Sequence, residues 1–218
     1  MCLRALNRQD VGALAHLAAD PDIVRNLVLP EAVTGLGGLA TREGASFWIA
    51  QVNENAAAGT GVGFAIDLIE PAVTDPRAAG MRPGELQVNR SDGVAASKVG
   101  PVPRAVARRQ EAAGRLIGVI GLEFVSDSAG DAALPPGAGE LGFWIGQPFR
   151  NRGFCTEAAM AVLDYAFGQL NLSVVTASHF TDNRASAAVI GRLGMRPANV
   201  AGGQLPPAEA IDCLDGRT

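Results

Sequence analysis

Gln147-Pro148-Phe149-Arg150-Asn151-Arg152-Gly153-Phe154-Cys155-Thr156-Glu157 follows a strand-like run, Glu140 to Gly146 (ELGFWIG), and opens the most regular helical pattern in the chain. The first turn of a helix carries backbone N–H groups that lack intrahelical partners, at the positive end of the helix dipole, so anions bind there readily. Gly153 lets the backbone approach an anion closely, Arg150 and Arg152 add positive charge, and Glu157 suits the dipole. Taken alone, one glycine in a basic strand-to-helix turn is more simply read as an ordinary helix entry. Two phosphate loops are excluded. The lysine of a Walker A loop is missing, since the only lysine is Lys98. A dinucleotide fingerprint needs three spaced glycines and an acid closing the next strand, and the next strand-like run, Val174 to Ser178, has none.

Outward from this loop, Thr156 to Leu170 places Ala159, Val162, Leu163, Ala166 and Leu170 at helical spacing. After the strand Val174 to Ser178, Asn183 to Leu193 reads as a helix, with Gly194 as its left-handed C-cap. Upstream, Arg115 to Val125 (RLIGVIGLEFV) and Val62 to Ile69 read as strands. Cys2 to Leu6 is a short first strand, and Asp10 is expected to cap a helix bearing Val11, Leu14, Ala15 and Leu17. Asp22 to Leu27 adds a turn, Val28 to Ala40 reads as a mobile loop, and Thr41 caps a second helix running to about Val52. The order predicts an α/β sheet of mixed direction, since hairpins and crossover helices both occur.

Residues 71–113 differ from the rest. They hold five prolines, seven basic and four acidic residues, and no aromatic. Such a segment cannot bury enough apolar surface to offset about 1–2 kcal/mol of backbone entropy per residue. It is expected to be a largely disordered insertion in a surface loop. Ser126 to Gly139 is a flexible connection, and after Pro197 the pattern dissolves into Gly, Pro and Ala. The expected organisation is one domain over 1–197, interrupted at 71–113, and an irregular tail over 198–218.

The chain has 218 residues, 48% hydrophobic and 18% charged, which suits one globular domain with a real core. A net charge of −4 argues against an electrostatic nucleic-acid binder. The three cysteines, Cys2, Cys155 and Cys213, lie far apart, and only His16 and His179 accompany them, so no metal site is expected. No apolar stretch is long enough to span a membrane and no signal-peptide core precedes the domain, so a cytoplasmic protein is expected, with oligomeric state unread.

Together these parts resemble the GNAT superfamily of N-acetyltransferases, its RimJ/RimL-type branch in particular. That branch has a Gly-Tyr/Phe-Trp-Ile strand, then Pro, then an Arg/Gln-x-x-Gly-x-Gly/Ala loop and Thr-Glu-Ala. Here those are Leu141-Gly142-Phe143-Trp144-Ile145-Gly146, Pro148, Arg150-Asn151-Arg152-Gly153-Phe154-Cys155 and Thr156-Glu157-Ala158-Ala159. The family's Asn-x-x-Ser helix start and Leu-Gly-Phe/Met ending match Asn183-Arg184-Ala185-Ser186 and Leu193-Gly194-Met195. The match covers about Arg115 to Pro197. The resemblance implies a GNAT-like mixed sheet and transfer of an acetyl group from acetyl-CoA to a primary amine, either a protein N-terminus or a small molecule. Amides of Arg152, Gly153, Phe154, Cys155 and Thr156 would hold the coenzyme A pyrophosphate, with Arg150 nearby. Phe143, Trp144 and Ile145 would line the pantetheine arm with main-chain groups, one of them facing the thioester oxygen. Asn183 would sit where two parallel strands part.

Direct attack on the thioester needs a neutral amine, which titrates at about 7.7–8.0 for an α-amine and about 10.4 for lysine. Ser186 is the candidate acid for the departing thiolate, and Glu140 and His179 are candidate bases. Each has a plain structural role beside it: a helix-start hydroxyl, a solvated strand end and a packed strand-end histidine. Tyr165, mid-helix, reads as core. Cys155 replaces the usual Gly/Ala, and at a helix N-terminus its thiol is expected to be acidified and readily alkylated. Relatives usually add two strands after Leu-Gly-Phe/Met. No strand-like run is legible here, which implies a truncated end and leaves open an inactive coenzyme A-binding or regulatory protein.

Overall fold

Alternating and continuous apolar runs make the strands of this chain, and stripes at 3.6-residue spacing make the helices that cover them. The computed structural model describes residues 1–69, 114–124, 137–197 and 209–215. In chain order the elements are β1 (Cys2–Ala5), α1 (Val11–Ala18), α2 (Pro21–Asn26), α3 (Glu31–Gly35) and α4 (Arg42–Ala58). Then come β2 (Gly61–Leu68), β3 (Arg115–Phe124), β4 (Ala138–Ile145), α5 (Phe154–Gly168), β5 (Val174–Phe180), α6 (Arg184–Arg192), β6 (Arg196–Pro197) and β7 (Glu209–Asp215). Among the described residues the strands form one seven-stranded sheet in the order β1-β2-β3-β4-β5-β7-β6. Every neighbouring pair is antiparallel except β4 and β5, which are parallel. This is the mixed α/β sheet expected from the sequence.

The sheet buries both faces. On one, Ile120, Leu122, Leu141 and Ile145 pack under Ala158, Ala159, Val162, Leu163 and Ala166 of α5 and Ile190 of α6. The alanines bring α5 close to the sheet, and burying Val162 and Leu163 contributes about 1.5–3 kcal/mol each. Tyr165 is in this core, edge-on to Phe64 at 6.2 Å. On the other face, Ala65, Val119 and Trp144 pack with Val11, Leu14 and Ala18 of α1, Val33 of α3, and Ala45 and Ile49 of α4.

Several local expectations change. Asp10 precedes α1 but makes no side-chain cap to it. Its carboxylate instead takes Asn7 N–H and the Arg4 guanidinium, which also holds Asp67 at 2.6 Å. The segment read as a loop contains α3, buried through Val33. Thr41 Oγ1 does cap α4 by accepting from Gly44 N, and the helix runs on to Ala58. Gly194 adopts the left-handed φ of +77° expected past α6.

The largest correction is at the C-terminal end. β7 pairs with β5 along Val174 to Phe180 and carries β6 on its other edge. A strand therefore follows Pro197, and the boundary expected there falls between two paired strands. The reading of 71–113 as a disordered insertion, and most of the 126–139 connection, lie outside the described residues.

Candidate active site

The parallel pair, β4 and β5, comes apart. β4 and β5 pair at Ala138–Val174, Gly139–Val175 and Glu140–Thr176, and the ladder stops there although both strands continue. β4 stays on β3 out to Ile145, and β5 stays on β7 out to Phe180. The sheet thus forks between β4 and β5. Beyond Glu140 the β5-facing edge of β4 has no strand partner among the described residues, in the middle of the sheet. Such an edge is a template for an extended ligand with amide groups. Space at the fork is open: Gly142 is exposed, and a Cβ built there would meet nothing within 4 Å.

At the C-terminal end of β4 the chain makes a 3-10 turn, Gln147–Phe149, and enters α5 through Asn151 at φ 60° and Gly153 at φ 82°. Gly153 is the N-cap residue of α5, and among the described residues no side chain caps the helix. The first helical bond is Glu157 N–H to Gly153 O at 3.0 Å. The amides of Phe154, Cys155 and Thr156 therefore point out of the helix start without an i−4 carbonyl. Left-handed φ, not crowding, demands glycine at 153, since a Cβ there would also meet open space.

The two arginines of the loop behave differently. Arg152 is exposed and lies over the Phe154 ring at 4.8 Å. Arg150 is committed within the fold: Nε donates to Ile145 O at 3.1 Å, Nη1 to Asp22 at 3.0 Å and Nη2 to Asp20 at 2.6 Å. Its charge is met by two carboxylates. Cys155 differs from expectation. Burial pushes its thiol up to about 12, so desolvation outweighs the helix dipole and the thiolate is disfavoured.

Across the fork, Asn183 caps α6. Its Oδ1 accepts from Ser186 N–H at 3.1 Å and its Nδ2 donates to Ser186 Oγ at 2.9 Å. The half-buried Ser186 hydroxyl accepts that bond and keeps its own proton to donate. His179 is held at both ring nitrogens, Nδ1 2.9 Å from Phe180 O and Nε2 3.3 Å from Asp212 of β7. Both partners are acceptors, and the ring is nearly buried. Glu140 accepts a hydrogen bond from Ser178 Oγ. Because strand side chains alternate, Glu140 and Ser178 share one face, while His179 lies on the other, with α5 and α6. Glu140 thus lies on one face of the sheet, and α6, which carries Ser186, packs on the other.

α2 closes the end of the fork. Its N-terminal carboxylates Asp20 and Asp22 hold Arg150, after β4, and its Arg25 pairs with Asp182, after β5. Arg25, Phe180, Thr181 and Asp182 line a cavity of about 410 Å³. A larger cavity, about 840 Å³, lies against α4 and is lined by none of the fork residues. Sequence reading missed Ser178, Arg25 and Asp182. Their partners are 38 and 157 positions away, so no local pattern announces them.

Comparison with known proteins agrees with this fold. The model of the acetyltransferase (GNAT) domain matches residues 1–196. A Bacillus subtilis protein described as the uncharacterized N-acetyltransferase YnaD is 35% identical over 57 residues, 26% of this chain and 34% of that protein. The chain therefore aligns with about a third of that relative's length. Among solved structures, Mycobacterium smegmatis RimJ in complex with a CoA disulfide superposes with TM-score 0.61 at 16% identity, over 98% of this chain and 80% of that one. The ribosomal-protein-S5-alanine acetyltransferase of Vibrio fischeri gives TM-score 0.60 at 14% identity, over 99% and 92%. At such identities the likeness is one of fold.

Proposed function

This chain belongs to the acetyltransferase (GNAT) domain family, and on that footing we propose that it transfers an acetyl group from acetyl-CoA to a primary amine by direct attack in a ternary complex. The observation that carries this reading is the fork. The β4–β5 ladder ends at Glu140–Thr176, beside an α5 N-terminus without a side-chain cap.

The amides of Gly153 to Thr156 hold the pyrophosphate, helped by the exposed Arg152. The free edge of β4 at Phe143, Trp144 and Ile145 binds the pantetheine amides, and one N–H faces the thioester oxygen. Arg150 serves this site indirectly, by fixing the loop to β4 and α2. Asn183 orients Ser186 through two hydrogen bonds, and the Ser186 hydroxyl donates towards the departing sulfur. Glu140 takes the proton of the acceptor ammonium. His179, with both nitrogens facing acceptors, ties β5 to β7 and leaves the base role to Glu140. Acid and base thus approach the thioester from opposite faces, the base from the acceptor side.

The acceptor is a protein N-terminal amine or a small amine, entering over Gly142, and the loop motif favours the RimJ/RimL-type branch. Among the described residues no helix is long and apolar enough to cross a membrane. The strand after Pro197, β7, favours an active transferase over the alternative of an inactive coenzyme A-binding or regulatory protein. Thiol release from acetyl-CoA with a panel of N-terminal peptides and small amines tests the proposal. Amine-dependent release is expected. Coenzyme A binding without release from any amine overturns the transfer reading.

A further inference from the structure

Ser178 stands on β5 just past the last rung shared with β4, and its Oγ donates a 2.5 Å hydrogen bond to Oε1 of Glu140. The backbone ladder has ended by then, so this side-chain bond links the two strands at the mouth of the fork. It fixes one carboxylate oxygen. Among the described residues Oε2 accepts no hydrogen bond, and Glu140 shares its face of the sheet with Gly142, where space is open. The register places Glu123 of β3 directly opposite Glu140. Like charges so paired repel, and a carboxylate beside another needs a donor to hold it in one orientation. Ser178 is exposed, so packing alone gives no reason for a serine there.

We infer that Ser178 is a positioning residue: it holds Oε1 of Glu140 so that Oε2 faces the acceptor nitrogen. This rests on Glu140 being the base in the acetyl-transfer reading. Oε2 takes one proton from the acceptor ammonium, and the freed lone pair forms the N–C bond at the thioester carbon. The C–S bond breaks, and the second proton lost from nitrogen ends on the sulfur. Ser178 touches neither substrate and acts only through the carboxylate.

The test uses the full chain, acetyl-CoA and the best acceptor of the amine panel, with Ser178→Ala, Ser178→Thr, Glu140→Gln and the Ser178→Ala/Glu140→Gln double variant. Ser178→Ala should lower kcat about tenfold or more, since misplacing a reacting group costs at least that. The KM for acetyl-CoA and the calorimetric Kd for coenzyme A should stay within twofold. Ser178→Thr, which keeps the hydroxyl, should restore kcat to within about threefold. In the Glu140→Gln background the Ser178→Ala change should add nothing. Glu140→Gln inactive with Ser178→Ala at wild-type kcat overturns this inference and leaves the base. An equal loss in Ser178→Thr, or an additive loss on Glu140→Gln, does the same. Glu140→Gln at wild-type kcat overturns the base assignment, and this inference with it. No thiol release by the wild-type chain overturns both.

Discussion

The Arg25 guanidinium and the Asp182 carboxylate, 157 positions apart, form an ion pair that ties α2 to the turn before α6. The other end of α2 is tied to Arg150, in the loop after β4. α2 buries only Ile23. It is a short strap joining the ends of the two strands that part. Arg25 and Asp182 are 70% and 58% exposed, so their pairing contributes at most about 1 kcal/mol and is easily displaced. Arg25→Ala and Asp182→Ala should each leave Tm within about 2 °C of wild type. Each should change the acceptor KM several-fold while the acetyl-CoA KM holds. Thermal unfolding and initial rates check this, and equal effects on both KM values would place α2 elsewhere in the mechanism.

Gly153→Ala introduces a Cβ at φ 82°, a strain of about 1–2 kcal/mol with no compensating contact. The helix start relieves it by turning its first amides. Calorimetric affinity for coenzyme A should fall about tenfold while the circular dichroism spectrum is unchanged. Undiminished affinity would separate the loop from the pyrophosphate.

Arg4 bridges Asp10 and Asp67, whose side chains are only 7% and 6% exposed. Its hydrogen bonds to Asp10 above all, and to Asp67, raise the arginine's pKa against the opposing effect of burial, so its charge persists at any accessible pH. Arg4→Met strands two buried carboxylates and should cost about 3 kcal/mol in urea unfolding. Asp67 sits at a β-bulge in β2, beside β3. Loss of stability below about 1 kcal/mol would show the network to be solvent-screened.

Cys155 should resist iodoacetamide at pH 7.5 in the folded protein and react once the chain is unfolded, because burial holds the thiol protonated to about 12 against an ordinary value of 9.0. The same shift has a stability sign. Between pH 9 and 12 the unfolded chain releases this proton and the folded one keeps it, so stability falls as pH rises through that window. Denaturant titrations at pH 8 and pH 10.5 read the slope, and rapid labelling at neutral pH would contradict the burial.

The loop from Gln147 to Glu157 was legible because its chemistry is local: a glycine, a helix start and their order fix where amides point. β7 was not, because Glu209 to Asp215 mixes Ala, Ile, Cys and Leu with acids and lacks a clean alternation. Pairing with β5 and β6, and Asp212 against His179, make it a strand. α3 was hidden by Gly35, Gly37 and Gly38, since a five-residue helix anchored by Val33 leaves little periodicity to read. Arg150 looked like a free cation until Asp20 and Asp22, far off in sequence, took its guanidinium. Asp10 looked like a cap until Arg4 claimed it.

Amide hydrogen exchange with and without coenzyme A tests most directly whether the fork between β4 and β5 is the coenzyme A site. Added coenzyme A should slow exchange at Phe143 to Ile145 and at Gly153 to Thr156, and leave β2 and β3 unchanged. Protection confined to the α4 cavity, or none in either segment while calorimetry still registers binding, would contradict that assignment.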